Sequence, residues 1–305
     1  MDKSFEQKLN GILDASQIFC KEELSKHTTF RIGGPADYFV EPQIHQVKGV
    51  VSLCKEASIP FYVMGNGSNI LAGDNGFRGV IIHIGKQLEK MECKEQSEGC
   101  LITVEAGILL SKFSKTVAEK GLCGMEFAAG IPGTLGGAVA MNAGAYGGEI
   151  KDHIVSATVL MPDGEIKELS KEELQLGYRT SIIQKEAYIV LKADFALSYG
   201  NKEEINAMMA DFQFRRKDKQ PLEYPSAGST FKRPEGYFAG KLIEDSGLKG
   251  YRVGDMMVSE KHCGFVVNVG KGTAKDAHQL MEDVERIVYE KFQVKLEPEV
   301  RFLGE

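Results

Sequence analysis

Apolar side chains in this chain recur at two spacings. Phe5, Leu9, Ile12 and Leu13 fall on one face of a helix predicted over residues 3–18. Similar patterning predicts helices over 43–57, 109–120, 202–219 and 238–248. The clearest amphipathic segment is 273–292, where Ala277, Leu280, Met281, Val284, Ile287 and Val288 make a buried stripe and Thr273 and Asp276 suit an N-cap. Short apolar runs predict strands at 36–40, 79–84, 101–107, 154–161, 188–197, 264–270 and 296–304. A further apolar strand begins at Pro60 and runs into Gly65-Asn66-Gly67-Ser68-Asn69.

Two stretches break this alternation. From Gly121 to Ile150 there are nine glycines and six alanines in thirty positions, too few side chains to build a core. What such a run offers is bare backbone and turns that need positive φ. Pro132-Gly133-Thr134 followed by Gly136-Gly137-Ala138 reads as a loop entering a short helix, with proline in the first turn. Junctions of that kind bind anions, phosphate above all. The stretch is therefore either a pyrophosphate cradle or a tightly packed Gly/Ala helix. The Gly65–Asn69 turn is either a second phosphate or ribose contact or a plain loop, since its Asn and Ser side chains also fold back on backbone. A third segment, 221–236, is rich in Pro, Gly and Ser, and a loop of that length without regular structure points to function.

Composition narrows the class. The 305 residues are 43% hydrophobic and 26% charged, ordinary for a soluble globular protein of one large or two smaller domains. A net charge of −6 argues against a general nucleic-acid binder. Six cysteines lie without CxxC or CxxH spacing, which disfavours a zinc site or disulfide framework and suits a reducing cytoplasm. The polar N-terminus lacks a signal-peptide core, and no apolar run reaches membrane-spanning length, so no membrane partner is expected. No GxGxxG follows a first strand with an acid about 20 residues on, which disfavours a Rossmann dehydrogenase.

Seven stretches in order carry a more specific signal: HTTFRIGGPAD, GNGSNIL, EFAAGIPGTLGGAVAMNAGAYGGEI, YRTS, PSAGSTFKRP, VSEKHCGFVVN and LEPEVRFLG. Together they resemble the UDP-N-acetylenolpyruvoylglucosamine reductase (MurB) family over residues 27–304. The short passage from Tyr178-Arg179 to the next strand resembles the family's shorter branch, type II, without the lid tyrosine of the longer one. The resemblance implies an α+β protein. A two-lobed FAD-binding domain of the vanillyl-alcohol oxidase/PCMH type would precede a C-terminal α+β substrate-binding domain. The implied partition is an N-terminal extension over 1–26, the FAD-binding region over 27–200 and the substrate region over 201–305. It also implies FAD and NADPH as cofactors, with NADPH as reductant and the enolpyruvyl group of the UDP-sugar as acceptor. A cytoplasmic monomer or weak oligomer is expected.

Residue roles follow from the matched motifs. Ser229 matches the family's proton donor, Arg179 its catalytic arginine and Glu299 its catalytic glutamate, with Glu297 a rival on sequence alone. Hydride addition to one alkene carbon leaves negative charge on its neighbour, spread into the carboxylate. A guanidinium can hold that charge and an acid must supply a proton. For FAD, the resemblance implicates Gly65, Asn66, Gly67, Ser68, Asn69, Gly130, Gly133, Thr134 and Gly137. Arg31 is open between a flavin contact and a structural ion pair, and Tyr146 between a flavin neighbour and packing. For the UDP phosphates, Arg215, Arg216 and Lys219 are candidates, against the alternative of a solvated basic helix end. Arg233 stands where many relatives carry asparagine, which puts that substrate contact in question. His262 reads as structural. No residue is assigned to a metal. Two other functions fit parts of this pattern: an alcohol oxidase of the same flavoprotein superfamily, and a non-catalytic nucleotide-sugar-binding module.

Overall fold

The computed structural model describes residues 3–305; Met1 and Asp2, part of the expected extension, lie outside the described residues. The chain forms two compact units. The first comprises the residues up to Phe19, with Tyr38–Asn66 and Gly79–Arg215. The second comprises Cys20–Asp37, Gly67–Arg78 and Arg216–Glu305. Each has its own hydrophobic core.

The first unit is built on a five-stranded antiparallel sheet in the order Ile166–Ser170, Ile154–Leu160, Ile189–Ser198, Gly99–Glu105 and Met91–Gln96. Its three inner strands are the predicted ones, rich in β-branched residues and buried. Its two edges are unpredicted. IKELS and MECKEQ are mostly exposed and charged, so hydrophobicity does not reveal them, and that charge protects an open edge from further pairing. Helices Ile44–Glu56, Leu110–Glu119 and Leu135–Met141 add to the core from their buried faces. The strand Phe61–Met64 pairs in parallel with residues 80–83.

The N-terminal helix is shorter than predicted. It covers Lys3–Asn10 and stops at Gly11; one 3-10 turn at Ala15–Gln17 then leads into a strand from Ile18. The Gln17 side chain accepts from the Asp14 N–H at 2.9 Å and fixes that turn.

The second unit contains a four-stranded antiparallel sheet in the order Ser226–Ser229, Phe265–Asn268, Met256–Val258 and Arg252–Val253. Helix Ala274–Phe292 packs on its core through Ala277, Leu280, Met281, Val284 and Val288, with Ile287 half-buried. The segment expected to lack regular structure thus contains a strand, Ser226–Ser229. The terminal strand is confined to Arg301–Leu303, parallel to Ile70–Ala72.

Candidate active site

In the first unit the start of the Gly65–Asn69 turn meets the glycine-rich stretch. The strand Phe61–Met64 ends at Gly65, whose α-carbon lies against the Thr134 side chain; a Cβ there would collide with the Thr134 hydroxyl. The Asn66 amide donates to the Pro132 carbonyl. Gly133 accepts the Leu110 N–H at 2.9 Å, which ties this loop to the start of the next helix. Gly130 closes a 3-10 turn over Glu126–Gly130. Thr134 is the N-cap of Leu135–Met141, is 3% exposed, and makes no side-chain cap bond. Pro132 therefore precedes the N-cap instead of occupying the helix's first turn. At Gly137 the space a side chain would take is bounded only by the Thr134 hydroxyl at 3.7 Å. Backbone stripped of side chains from two loops, converging at a helix start, fits a dinucleotide pyrophosphate.

The same glycine-rich helix positions Arg179. It ends at Asn142, in the left-handed region at φ 43°. The Asn142 amide is 1% exposed and donates to the Gly177 carbonyl at 3.0 Å and to Glu149 Oε2 at 2.9 Å, while its Oδ1 accepts the Lys151 N–H at 2.9 Å. Gly177 and Thr180 bond reciprocally at 3.0 and 3.3 Å, making Tyr178-Arg179 the tip of a tight turn with Arg179 at φ 55°. Ser181 Oγ and Gln184 Nε2 both donate to the Ala140 carbonyl at 2.6 Å. The Lys151 ammonium, 2.8 Å away, is the main cause holding the Glu149 carboxyl below its usual range, with the Asn142 amide and the Arg179 charge adding to it. Tyr146 sits in a hairpin turn and stacks on Phe212, with ring centroids 4.6 Å apart.

In the second unit Ser229 and Glu299 lie on adjoining segments. Gly228, at φ 78°, places a bulge in the strand: Ser226 pairs with Val267 but Ser229 pairs with Phe265. Such a bulge re-aims the residue after it, and Ser229 is exposed. The next residue, Thr230, is 1% exposed; its carbonyl accepts the Glu299 N–H at 2.8 Å and its hydroxyl accepts the Val266 N–H at 2.9 Å. The ladder continues from the Lys232 N–H to the Glu297 carbonyl at 2.8 Å. Glu297, the rival acid, is 64% exposed and ion-paired with Lys232 at 3.1 Å. Asn69, expected on the cofactor, donates its amide to the Glu299 carbonyl at 2.9 Å and accepts the Arg301 N–H at 2.9 Å. Gly67 takes φ 59°, and its carbonyl accepts the Thr29 N–H; Ser68 lies in the same turn.

The candidate cations differ in their partners. Arg215 pairs with Asp211 of its own helix at 2.7 Å, and Arg216 bonds Gln220 at 2.9 Å. Lys219 is exposed and in no ion pair among the described residues. The Arg233 guanidinium lies 3.9 Å from the Phe238 ring centroid. Arg31, at φ 57°, lines a cavity of about 600 Å³ with Gly33, Gly34, Asp74 and Lys271, and makes no ion pair among the described residues. Neither Ser229 nor Glu299 lines that cavity. His262 Nδ1 accepts the Gly264 N–H at 3.0 Å, and desolvation lowers its pKa. Among the described residues no cluster of His, Cys, Asp and Glu is suited to a metal ion, and no helix is long and apolar enough to cross a membrane. Sequence reasoning missed Asn142 and Ser181; the one signal was an asparagine directly after an apolar helix, a frequent left-handed cap.

Comparison with known proteins identifies the family and the fold. Residues 36–170 match an FAD binding domain family. The fold is similar to that of p-cresol methylhydroxylase, with a TM-score of 0.58 at 14% identity over 96% of this chain and 89% of that one. This is an α+β flavoprotein with an FAD-binding domain of that type. Residues 220–303 match the UDP-N-acetylenolpyruvoylglucosamine reductase C-terminal domain family. The reductase of Lachnoclostridium phytofermentans is 57% identical over 98% of this chain and 97% of its own, and that of Agathobacter rectalis is 52% identical over the whole of both. The crystal structure of the reductase (MurB) from Thermus caldophilus has a TM-score of 0.78 and 36% identity over 94% of this chain and 98% of that one. The chain belongs to the UDP-N-acetylenolpyruvoylglucosamine reductase family. It is an FAD-dependent oxidoreductase that reduces UDP-N-acetylenolpyruvoylglucosamine in peptidoglycan precursor synthesis.

Proposed function

We propose that NADPH is the reductant for this reaction, that UDP-N-acetylmuramate is the product, and that Arg179, Ser229 and Glu299 are the catalytic residues. Bound FAD would supply the two-electron hydride chemistry. Gly65, Asn66, Gly130, Gly133, Thr134 and Gly137, with the Gly67-Ser68-Asn69 backbone, would hold it. Arg179 pairs with the substrate carboxylate and stabilises the charge that builds on it. Ser229 gives its proton to the adjacent carbon. Glu299 hydrogen-bonds the enolate-like oxygens. Lys219, Arg215 and Arg233 serve the UDP phosphates, Arg215 after release from Asp211. The partition into an extension over 1–26, an FAD region over 27–200 and a substrate region over 201–305 belongs to the same reading. So does a cytoplasmic, monomeric or weakly associated protein.

The observation that carries it is the ladder from Thr230 to Glu299, which sets the bulged Ser229 and the glutamate on adjoining segments. The test is the visible spectrum of the purified protein under anaerobic conditions. It should be yellow, bleach with NADPH, and recover its colour with the enolpyruvyl UDP-sugar. Recovery with oxygen alone would overturn the assignment of the acceptor. Ser229→Ala should keep flavin and bleaching but slow recovery by about 10²–10⁴-fold. Equal loss in both steps would remove serine as proton donor.

A further inference from the structure

We propose that Asn142 is a positioning residue for Arg179: its buried amide locks the turn that carries Arg179. The proposal rests on the reading of Arg179 as a catalytic residue. At the tip of this two-residue turn Arg179 itself takes the left-handed backbone, φ 55°, a conformation that costs energy for a residue with a side chain. Such a conformation persists only where its surroundings over-determine it. The surroundings here are specific. The Gly177 carbonyl, on the entering side of the turn, takes the Asn142 amide at 3.0 Å. On the leaving side, Ser181 Oγ reaches the Ala140 carbonyl at 2.6 Å. Both tethers end on one short piece of chain, Ala140–Asn142, so the turn is held at both stems from the same place.

Asn142 suits the task better than another residue would. At φ 43° its backbone is in the region that asparagine tolerates among non-glycine residues. Both N–H donors of its amide and its oxygen are engaged, by the Gly177 carbonyl, the Glu149 carboxylate and the Lys151 N–H. Glu149 in turn feels the Arg179 charge. One buried side chain therefore joins the helix end, the Gly144–Glu149 hairpin and the arginine turn. A buried amide with both donors and its oxygen engaged fixes geometry, whereas one with an idle donor would leave it loose. Aspartate in its place keeps the shape but loses both donors. Glycine keeps the backbone but loses the link.

The test combines substitutions with a structural readout. Asn142→Gly and Asn142→Asp should retain flavin and bleach with NADPH near the parent rate, and should slow substrate-driven recovery of colour about 10- to 100-fold, the scale of a misplaced catalytic group. In an Arg179→Ala background, Asn142→Gly should add little further loss, because the group it positions is gone. Hydrogen exchange at the Thr180 amide should quicken in both Asn142 variants, measured without substrate. Should the Asn142 variants fail to fold, Ser181→Ala, which cuts the other tether, runs the same cycle. Losses that simply multiply in the double variant, or unchanged exchange at Thr180, would overturn the positioning role. No loss in Arg179→Ala by itself would instead overturn the catalytic reading of Arg179.

Discussion

Ser229 and Arg179 show how neighbouring residues set the way a single position is presented. Ser229 follows Gly228, whose positive φ makes the bulge, and nothing lies within 4 Å of where a Gly228 Cβ would stand. Gly228→Ala is therefore strained by backbone alone. It should cost about 1–2 kcal/mol in a denaturant titration and also slow colour recovery by the substrate, because relaxing the bulge re-aims Ser229. A stability loss with full activity would separate the bulge from the chemistry. Glu149 offers a pH handle on the arginine turn. Lys151 first, then Asn142 and Arg179, hold its pKa below the ordinary 4.5, so the folded state binds fewer protons than the unfolded one. The stabilisation is present above about pH 4.5 and is lost as pH falls through the folded value. Thr180 amide protection should drop on acidification in that window, and Glu149→Gln should flatten the drop. Neither Gly228's φ nor the Glu149 network is legible in sequence, because both depend on contacts between residues that no local pattern links.

At the level of elements, the sequence reveals whatever is apolar and periodic. The three inner strands of the five-stranded sheet and the long helix Ala274–Phe292 were legible because burial selects β-branched runs in one and a stripe in the other. The edge strands were hidden by their charge, and the Ser226–Ser229 strand by the turn residues it is made of. The glycine loops were legible as candidates because bare backbone is visible in composition. Their meeting at Gly65 and Thr134 was not, since these residues lie far apart in the chain. Asn69 reads as a cofactor ligand in sequence, yet its amide serves the Glu299 backbone, a bond between residues 230 positions apart. Helix Ala274–Phe292 also carries a prediction. Thr273 Oγ accepts the Asp276 N–H at 3.0 Å, while Asp74 accepts those of Ala274 at 2.8 Å and Lys275 at 3.1 Å. The two caps satisfy different donors of the first turn. Thr273→Ala and Asp74→Ala should each cost about 1 kcal/mol, and the double variant about their sum, by chemical denaturation. A double variant no worse than either single one would show that a common partner or water takes over.

For the molecule as a whole, two units with separate cores raise the question of which one the cofactor stabilises. Gly65, Asn66, Pro132 and Thr134, where the two glycine loops converge, belong to the first unit, whereas Gly67-Ser68-Asn69 belong to the second. A ligand that binds only the folded state adds RT ln(1 + [L]/Kd), about 2.7 kcal/mol at a hundredfold excess over Kd. Flavin-free protein should therefore melt lower than the same protein with FAD restored, and the shift should grow with the logarithm of FAD concentration. Variants divide cleanly under this argument. Gly65→Ala forces a Cβ into the Thr134 hydroxyl, so it should abolish most of the FAD-dependent shift and leave purified protein pale. Thr273→Ala weakens a helix of the second unit, so it should lower the melting temperature with and without FAD by similar amounts and leave the shift intact. Both midpoints come from one thermal titration of each variant against FAD. If Gly65→Ala kept the full shift, the cradle assigned to the two glycine turns would have to be abandoned, and the fold's glycine-rich centre would be a packing device instead.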